Sequence, residues 1–158
     1  MLVVADSSAL LSLAACGRLP LLDELYGDVR VPAAVWRECV VAGKPHADAL
    51  AKYLDGRVAD LDLSDLIIAG VGLGRGELEA LALYKRLHAD RLLLNDRRAR
   101  RVARVNSVQV IGSLGVLLLA KTRGVLPAVR PSLEAIRAAG IHLSDSLVVE
   151  TLRIAGEE

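Results

Sequence analysis

Four carboxylates stand where a parallel α/β fold would gather them. Asp6 follows the apolar run Leu2-Val-Val-Ala5 with no spacer, and Asp96 closes the run Leu92-Leu-Leu-Asn-Asp. Glu77 lies in the first turn of a helix that begins at Gly74-Arg-Gly76, and Glu38 lies about two turns into a helix that opens at Pro32. Carboxylates that share a site repel one another and raise each other's pKa. A divalent cation removes that conflict, and ligands that are all oxygen select Mg²⁺ or Mn²⁺. Such an ion activates a water and neutralises charge on a phosphodiester, so the pattern points to metal-assisted hydrolysis. Asp6, Glu77 and Asp96 are the expected metal ligands, with Glu38 completing the catalytic set. Plainer roles stand beside these. Asp6 and Asp96 both suit helix N-caps, the helix dipole favours Glu77, and Glu38 would look the same on a solvated face. Glu79, two positions beyond Glu77, is expected to point elsewhere.

The elements that would position these groups alternate along the chain. Strands are expected at Leu2–Ala5, Val29–Val31, Arg57–Leu61, Leu92–Leu94 and Val108–Ile111. Helices are expected at 9–15, 20–26, 33–41, 45–54, 74–88, 97–105, 112–123, 132–139 and 144–154, with Pro32 as a first helical residue. Residues 62–73 are ambiguous, and Leu66-Ile-Ile-Ala-Gly70 reads as strand or loop. Strand, crossover helix and strand in succession make a parallel sheet with helices on both faces, and such sheets carry their chemistry beyond the carboxyl ends of the strands.

The 158 residues suffice for one domain, 53% are hydrophobic, and without any Phe the core must be aliphatic. Cys16 and Cys39 cannot make a disulfide framework, and they suit a reducing cytoplasm. The N-terminus lacks the basic segment of a secretory signal, and no apolar stretch is long enough to span a bilayer, so a cytoplasmic protein is expected. The net charge of +1 hides an asymmetry. Residues 1–79 carry 7 basic and 12 acidic side chains, whereas residues 80–158 carry 13 and 7. Five arginines fall within eight residues: Arg97, Arg98, Arg100, Arg101 and Arg104.

Several segments together resemble the PIN-domain family. They are Asp6-Ser-Ser-Ala-Leu-Leu-Ser-Leu13, Val31-Pro-Ala-Ala-Val-Trp-Arg-Glu38, Leu73-Gly-Arg-Gly-Glu-Leu-Glu-Ala-Leu-Ala82, Leu92-Leu-Leu-Asn-Asp-Arg-Arg-Ala-Arg100 and Gly112-Ser-Leu-Gly-Val-Leu-Leu-Leu-Ala-Lys-Thr-Arg-Gly124. The resemblance covers residues 1 to about 125 and leaves 126–158 as a C-terminal helical extension of a single domain. It implies a three-layer α/β/α sandwich around a parallel five-stranded sheet and an Mg²⁺- or Mn²⁺-dependent ribonuclease site at Asp6, Glu38, Glu77 and Asp96. It also implies RNA as substrate, an antitoxin protein as partner and a homodimer. The chain departs from the usual PIN toxin pattern in having Glu77 where Asp is commoner, and in having Arg97 and Arg98 after Asp96 instead of a second acid.

Arg97, Arg101 and Arg104 share one helix face, where they would either hold an RNA backbone together with Arg98 or pair with acids of the negative half. Ser7 and Ser8 beside Asp6, and Ser113 at a helix start, are further candidates for nucleic-acid contact. Four aromatic residues, Tyr26, Trp36, Tyr53 and Tyr84, offer few stacking platforms, which favours backbone over base recognition. The glycine-rich stretch Gly70–Gly76 does not satisfy the dinucleotide fingerprint, and His46, His88 and His142 match no metal spacing. The apolar run Leu114–Ala120 reads as core or as a dimer surface. Two alternatives to a nuclease remain: a binding module that keeps the fold without catalysis, and, less well matched, a phosphatase with Asp6 as nucleophile.

Overall fold

A computed structural model describes residues 1–66 and 72–158. Among the described residues the elements run β1 (Leu2–Ala5), α1 (Ser7–Ala15), α2 (Pro20–Tyr26), β2 (Asp28–Pro32), α3 (Ala33–Cys39), α4 (Ala47–Leu54), β3 (Val58–Ala59), α5 (Arg75–Leu87), β4 (Arg91–Leu93), α6 (Arg97–Val105), β5 (Val110–Ile111), α7 (Ser113–Thr122), α8 (Arg130–Ala138) and α9 (Asp145–Ala155). Every expected strand and helix within the described residues is present, with ends shifted by at most two residues. Pro32 is the last residue of β2 and the N-cap of α3, not its first turn. Of the ambiguous Leu66–Gly70 run, all but Leu66 lies outside the described residues, as does Val71 of the glycine-rich stretch.

The five strands form one parallel sheet in the order β3-β2-β1-β4-β5. β1 leads leftward to β2, whereas β3 leads rightward past two strands to β4. Right-handed crossovers in opposite directions must lie on opposite faces, which puts α1 and α2 on one side and α5 on the other. The result is a three-layer α/β/α sandwich. The crevice where the strand order reverses lies between β1 and β4, the place where open α/β sheets bind ligands. Asp6 leaves β1 there.

Buried strands explain the apolar runs. Val3, Val4, Ala5, Leu92 and Leu93 are fully buried, as a strand covered on both faces requires. In α6, Ala99 and Ala103 are fully buried, so small residues let the arginine-rich helix lie close to the core. No residue of Leu114–Ala120 is exposed, and α7 packs against α1, α2 and α9, so the run serves the core.

The C-terminal extension packs Leu126, Val129, Leu133, Ile136 and Leu152 into the core, and Glu157 adds a polar tie. Glu157 accepts from Lys121 Nζ at 2.9 Å and from the backbone N–H groups of Val129 at 2.7 Å and Arg130 at 3.1 Å. Burial alone would raise its carboxyl. The bonds from Lys121, Val129 and Arg130, with the Lys121 charge, overcome that and hold it at about 2. A lowered folded-state pKa adds stability above the unfolded value of about 4.5, and the gain disappears as pH falls toward 2. The carboxyl is partly exposed, so the gain is of order 1 kcal/mol. Glu157→Gln is expected to lower the thermal midpoint at pH 7 and to flatten its dependence on pH between about 4.5 and 2, as measured by circular dichroism.

Candidate active site

Asp6 occupies the N-cap position of α1, yet its side chain makes no capping bond to that helix. The plain reading of Asp6 as a cap therefore fails. The residue is 3% exposed, and its Oδ1 is buried without a hydrogen-bond partner. Oδ2 receives a long bond of 3.4 Å from the Ser8 hydroxyl. Burial raises the carboxyl to about 6; the negative charges of Glu77 and Glu38 add to the rise, while the Ser7 backbone and the Ser8 hydroxyl oppose it. An unpartnered buried carboxylate oxygen is expensive to hold in a folded protein and suits a cation.

Glu38 and Glu77 approach from two other helices. Glu38 accepts from the Ser7 hydroxyl at 2.7 Å, which ties α3 to the start of α1. It also lies against Gly76, where a Cβ would stand 2.3 Å from Glu38 Oε1. Gly76 is thus the reason that α3 and α5 meet closely enough for Glu38 and Glu77 to share one region. Glu77 is the third residue of α5, and its Oε1 accepts from Gly74 N at 3.0 Å, closing the first turn. Glu79 turns away to accept from Ala34 N and Arg75 Nε. Cys39, next to Glu38, has its thiol pushed up to about 12, first by burial and then by the charges of Asp6 and Glu38.

Asp96 does act as a cap. It is exposed, and its Oδ1 accepts from Ala99 N at 2.8 Å at the start of α6. The residue facing inward at the end of β4 is Asn95. It receives Ser113 N at 2.7 Å and donates to the hydroxyls of Ser113 at 2.9 Å and Ser12 at 3.2 Å. Ser113 is buried in that bond, so Asn95 joins β4 to α1 and α7. Asn95 carried a signal in the sequence: it is the first polar residue after a buried strand, as Asp6 is.

The arginines divide by environment. Arg97, Arg101 and Arg104 are exposed and, among the described residues, form no ion pair. The Arg98 guanidinium lies against Gly72, where the left-handed φ of +82° and the lack of a Cβ admit it. Arg100 is half-buried beside Gly112, with Nε unpartnered and its pKa lowered first by burial and then by Arg104.

The donor set is the right chemistry for a hard cation, and the orphaned Oδ1 of Asp6 is a ready ligand. The others are engaged elsewhere: Glu38 with Ser7, Glu77 with Gly74 and Asp96 with Ala99. Among the described residues no three His, Cys, Asp or Glu side chains are arranged as a finished metal site. Each glutamate uses one carboxylate oxygen in its present bond, Glu38 Oε2 and Glu77 Oε1, and a carboxylate has a second oxygen with which to meet a cation.

A family model described as a PIN domain matches residues 2–157, nearly the whole chain. The chain belongs to the PIN-domain family. PIN domains have a nuclease-type fold, they generally use divalent metals, and membership implies nucleic-acid binding. No curated protein and no solved structure matches the chain. The match runs through α8 and α9. Among the described residues no helix is long and apolar enough to cross a membrane.

Proposed function

We propose that this PIN domain is an Mg²⁺- or Mn²⁺-dependent endoribonuclease. The observation that carries the reading is Asp6: a buried carboxylate with an unpartnered oxygen, at the reversal point of a parallel sheet, under the charge of Glu38 and Glu77. Asp6 and Glu77 would hold the ion, Asp96 would add an oxygen from the end of β4, and Glu38 would orient the reacting water or complete the ligand set. When bound, the ion supplies an activated water and neutralises charge on the phosphodiester. Ser7 and Ser8 hold Glu38 and Asp6 in position and offer hydroxyls to the backbone of the RNA. The test is cleavage of RNA with Mn²⁺ by the wild type and by Asp6→Asn, beside a Mn²⁺ titration of thermal stability. Cation binding should stabilise the wild type alone.

Arg97, Arg101 and Arg104 would track the RNA backbone. They are exposed and without ion pairs among the described residues, which favours phosphate contact over neutralisation by acids of the same chain. Arg98 would form the edge of the same surface, whereas Ser113, expected from the sequence to touch nucleic acid, is buried and bonded to Asn95 and is left out of it. Replacing Arg97, Arg101 and Arg104 together with Gln is expected to reduce the slope of log affinity against log salt by about 2, at roughly 0.7 per single-strand phosphate. Anisotropy of a labelled RNA across a salt series measures it, and an unchanged slope rejects the assignment.

The toxin of a toxin–antitoxin pair, acting in the cytoplasm as a homodimer, is the biological setting we propose. Exposed Leu147, Val149 and Ile154 on α9 offer apolar surface for a second copy. A second reading, a PIN domain that binds nucleic acid without cutting it, is favoured by one observation: the engagement of Glu77 and Asp96 as helix caps. Salt-sensitive RNA binding that ignores chelators, with no cleavage, would select it.

A further inference from the structure

Beside the carboxylates a cavity of about 440 Å³ opens between α1, the end of α3 and the start of α4. Leu11, Cys39, Pro45 and Leu50 make its apolar lining, and Glu38 and Lys44 supply charges of opposite sign. Ser7 and Ser8 line it as well, so it is continuous with Asp6 through the Ser8 bond. Its volume lies near the small end of the ~300–1,000 Å³ usual for ligand clefts, which suits one small planar unit and no base pair.

Lys44 is held in place by its backbone. Its N–H donates to Val41 O at 3.2 Å and its carbonyl accepts from Ala47 N at 3.2 Å, just after Gly43, whose φ of +86° turns the chain. The Lys44 side chain is exposed and, among the described residues, has no ion-pair partner. A lone ammonium at the mouth of an apolar cavity recognises a ligand that is anionic at one end and flat and uncharged at the other. A nucleotide of an unpaired strand has that make-up.

We propose that the cavity receives the base of one unpaired nucleotide next to the cleavage point, and that Lys44 pairs with the adjoining phosphate. The cavity then marks out one position of the bound strand, since a paired base cannot enter it. This assignment rests on the reading of the chain as an RNA-cutting PIN domain. Without an aromatic face in the cavity, the base is held by aliphatic packing and fit instead of stacking.

The test uses the full chain, a chelator and labelled single-stranded RNA followed by anisotropy. Lys44→Gln is expected to lower the salt slope by about 0.7, the share of one single-strand phosphate. Moving a single abasic residue along the RNA should weaken binding about tenfold at one position only. Leu11→Trp, which fills the cavity, should remove that position dependence; Pro45→Trp fills it from the wall beside α4 if the first variant melts early. A slope unchanged by Lys44→Gln, equal losses at every abasic position, or equal affinity for a duplex of the same sequence overturns the proposal. Cleavage with Mn²⁺ is scored separately. Position-dependent binding without cleavage leaves the cavity assigned and rejects the nuclease. Cleavage whose KM and cut positions ignore Lys44→Gln and Leu11→Trp rejects the cavity and keeps the nuclease.

Discussion

Asp6→Asn is expected to abolish Mn²⁺-dependent RNA cleavage and, in the same protein, to raise the stability of the metal-free fold. Both outcomes follow from one carboxyl. Its folded-state pKa is about 6 against an ordinary 3.8, so the folded chain binds a proton more tightly than the unfolded chain does. For an acid shifted upward, stability falls as pH rises from about 3.8 to about 6, and the penalty is fully present above that range. The shift corresponds to about 1–3 kcal/mol at pH 7. Asn keeps the shape and drops the charge, so denaturant unfolding at pH 7.5 should show a gain of that order. The gain should vanish near pH 3.5. A saturating divalent cation should reverse the ranking, since only the wild type then gains from binding. A variant that is less stable than the wild type without metal at pH 7.5 would mean that Asp6 is a structural group, and full cleavage activity in that variant would remove it from the site.

Gly76→Ala is expected to separate activity from stability in the opposite sense to an ordinary core substitution. Gly76 is the second residue of α5, where its backbone is one that any residue adopts, and Ala favours a helix interior over Gly by about 1 kcal/mol. The added methyl would nonetheless stand 2.3 Å from Glu38 Oε1 and 2.9 Å from its Cδ. A carboxylate at the end of a flexible side chain moves aside more readily than two packed helices do. The Ser7–Glu38 bond breaks, at a cost of about 0.5–1 kcal/mol for an exposed pair. Net stability should change by less than about 1 kcal/mol. Cleavage or Mn²⁺ affinity should fall about 10–100-fold, the usual effect of displacing a group that orients or completes a metal site. Glu38→Asp in the Gly76→Ala background shortens the side chain and should recover part of the loss. Wild-type activity in Gly76→Ala would show that Glu38 takes no part.

Much of the fold was legible because the signals were redundant. Val3, Val4, Leu92 and Leu93 are buried on both faces and read as continuous apolar runs, while the pattern of α5 repeats at helical spacing over thirteen residues. β3 and β5 were less well bounded: each pairs over two residues at an edge of the sheet, and so short a strand leaves little periodic trace. At the site, the placement of Asp6 followed from its position at the end of β1. What the sequence could not express was the direction of the side chains. Asp6 and Asp96 both precede helices, but only Asp96 bonds its helix; the difference comes from burial at the reversal point against exposure beside α6. The role of Gly76 was hidden for the same reason, since a close approach between α3 and α5 is a property of two elements packed together and of neither alone.

The backbone of Asp6 belongs to the sheet, while Oδ1 of its carboxylate has no partner among the described residues. Its N–H donates to Leu93 O at 2.9 Å, continuing the ladder between β1 and β4 by one rung. The group is therefore rooted in the sheet and buried there. The glutamates opposite it hang from longer stems on helices. If the site holds a cation as proposed, the ion would meet a carboxylate anchored by the sheet and longer, more adjustable side chains around it, which would let Mg²⁺ and Mn²⁺ serve alike.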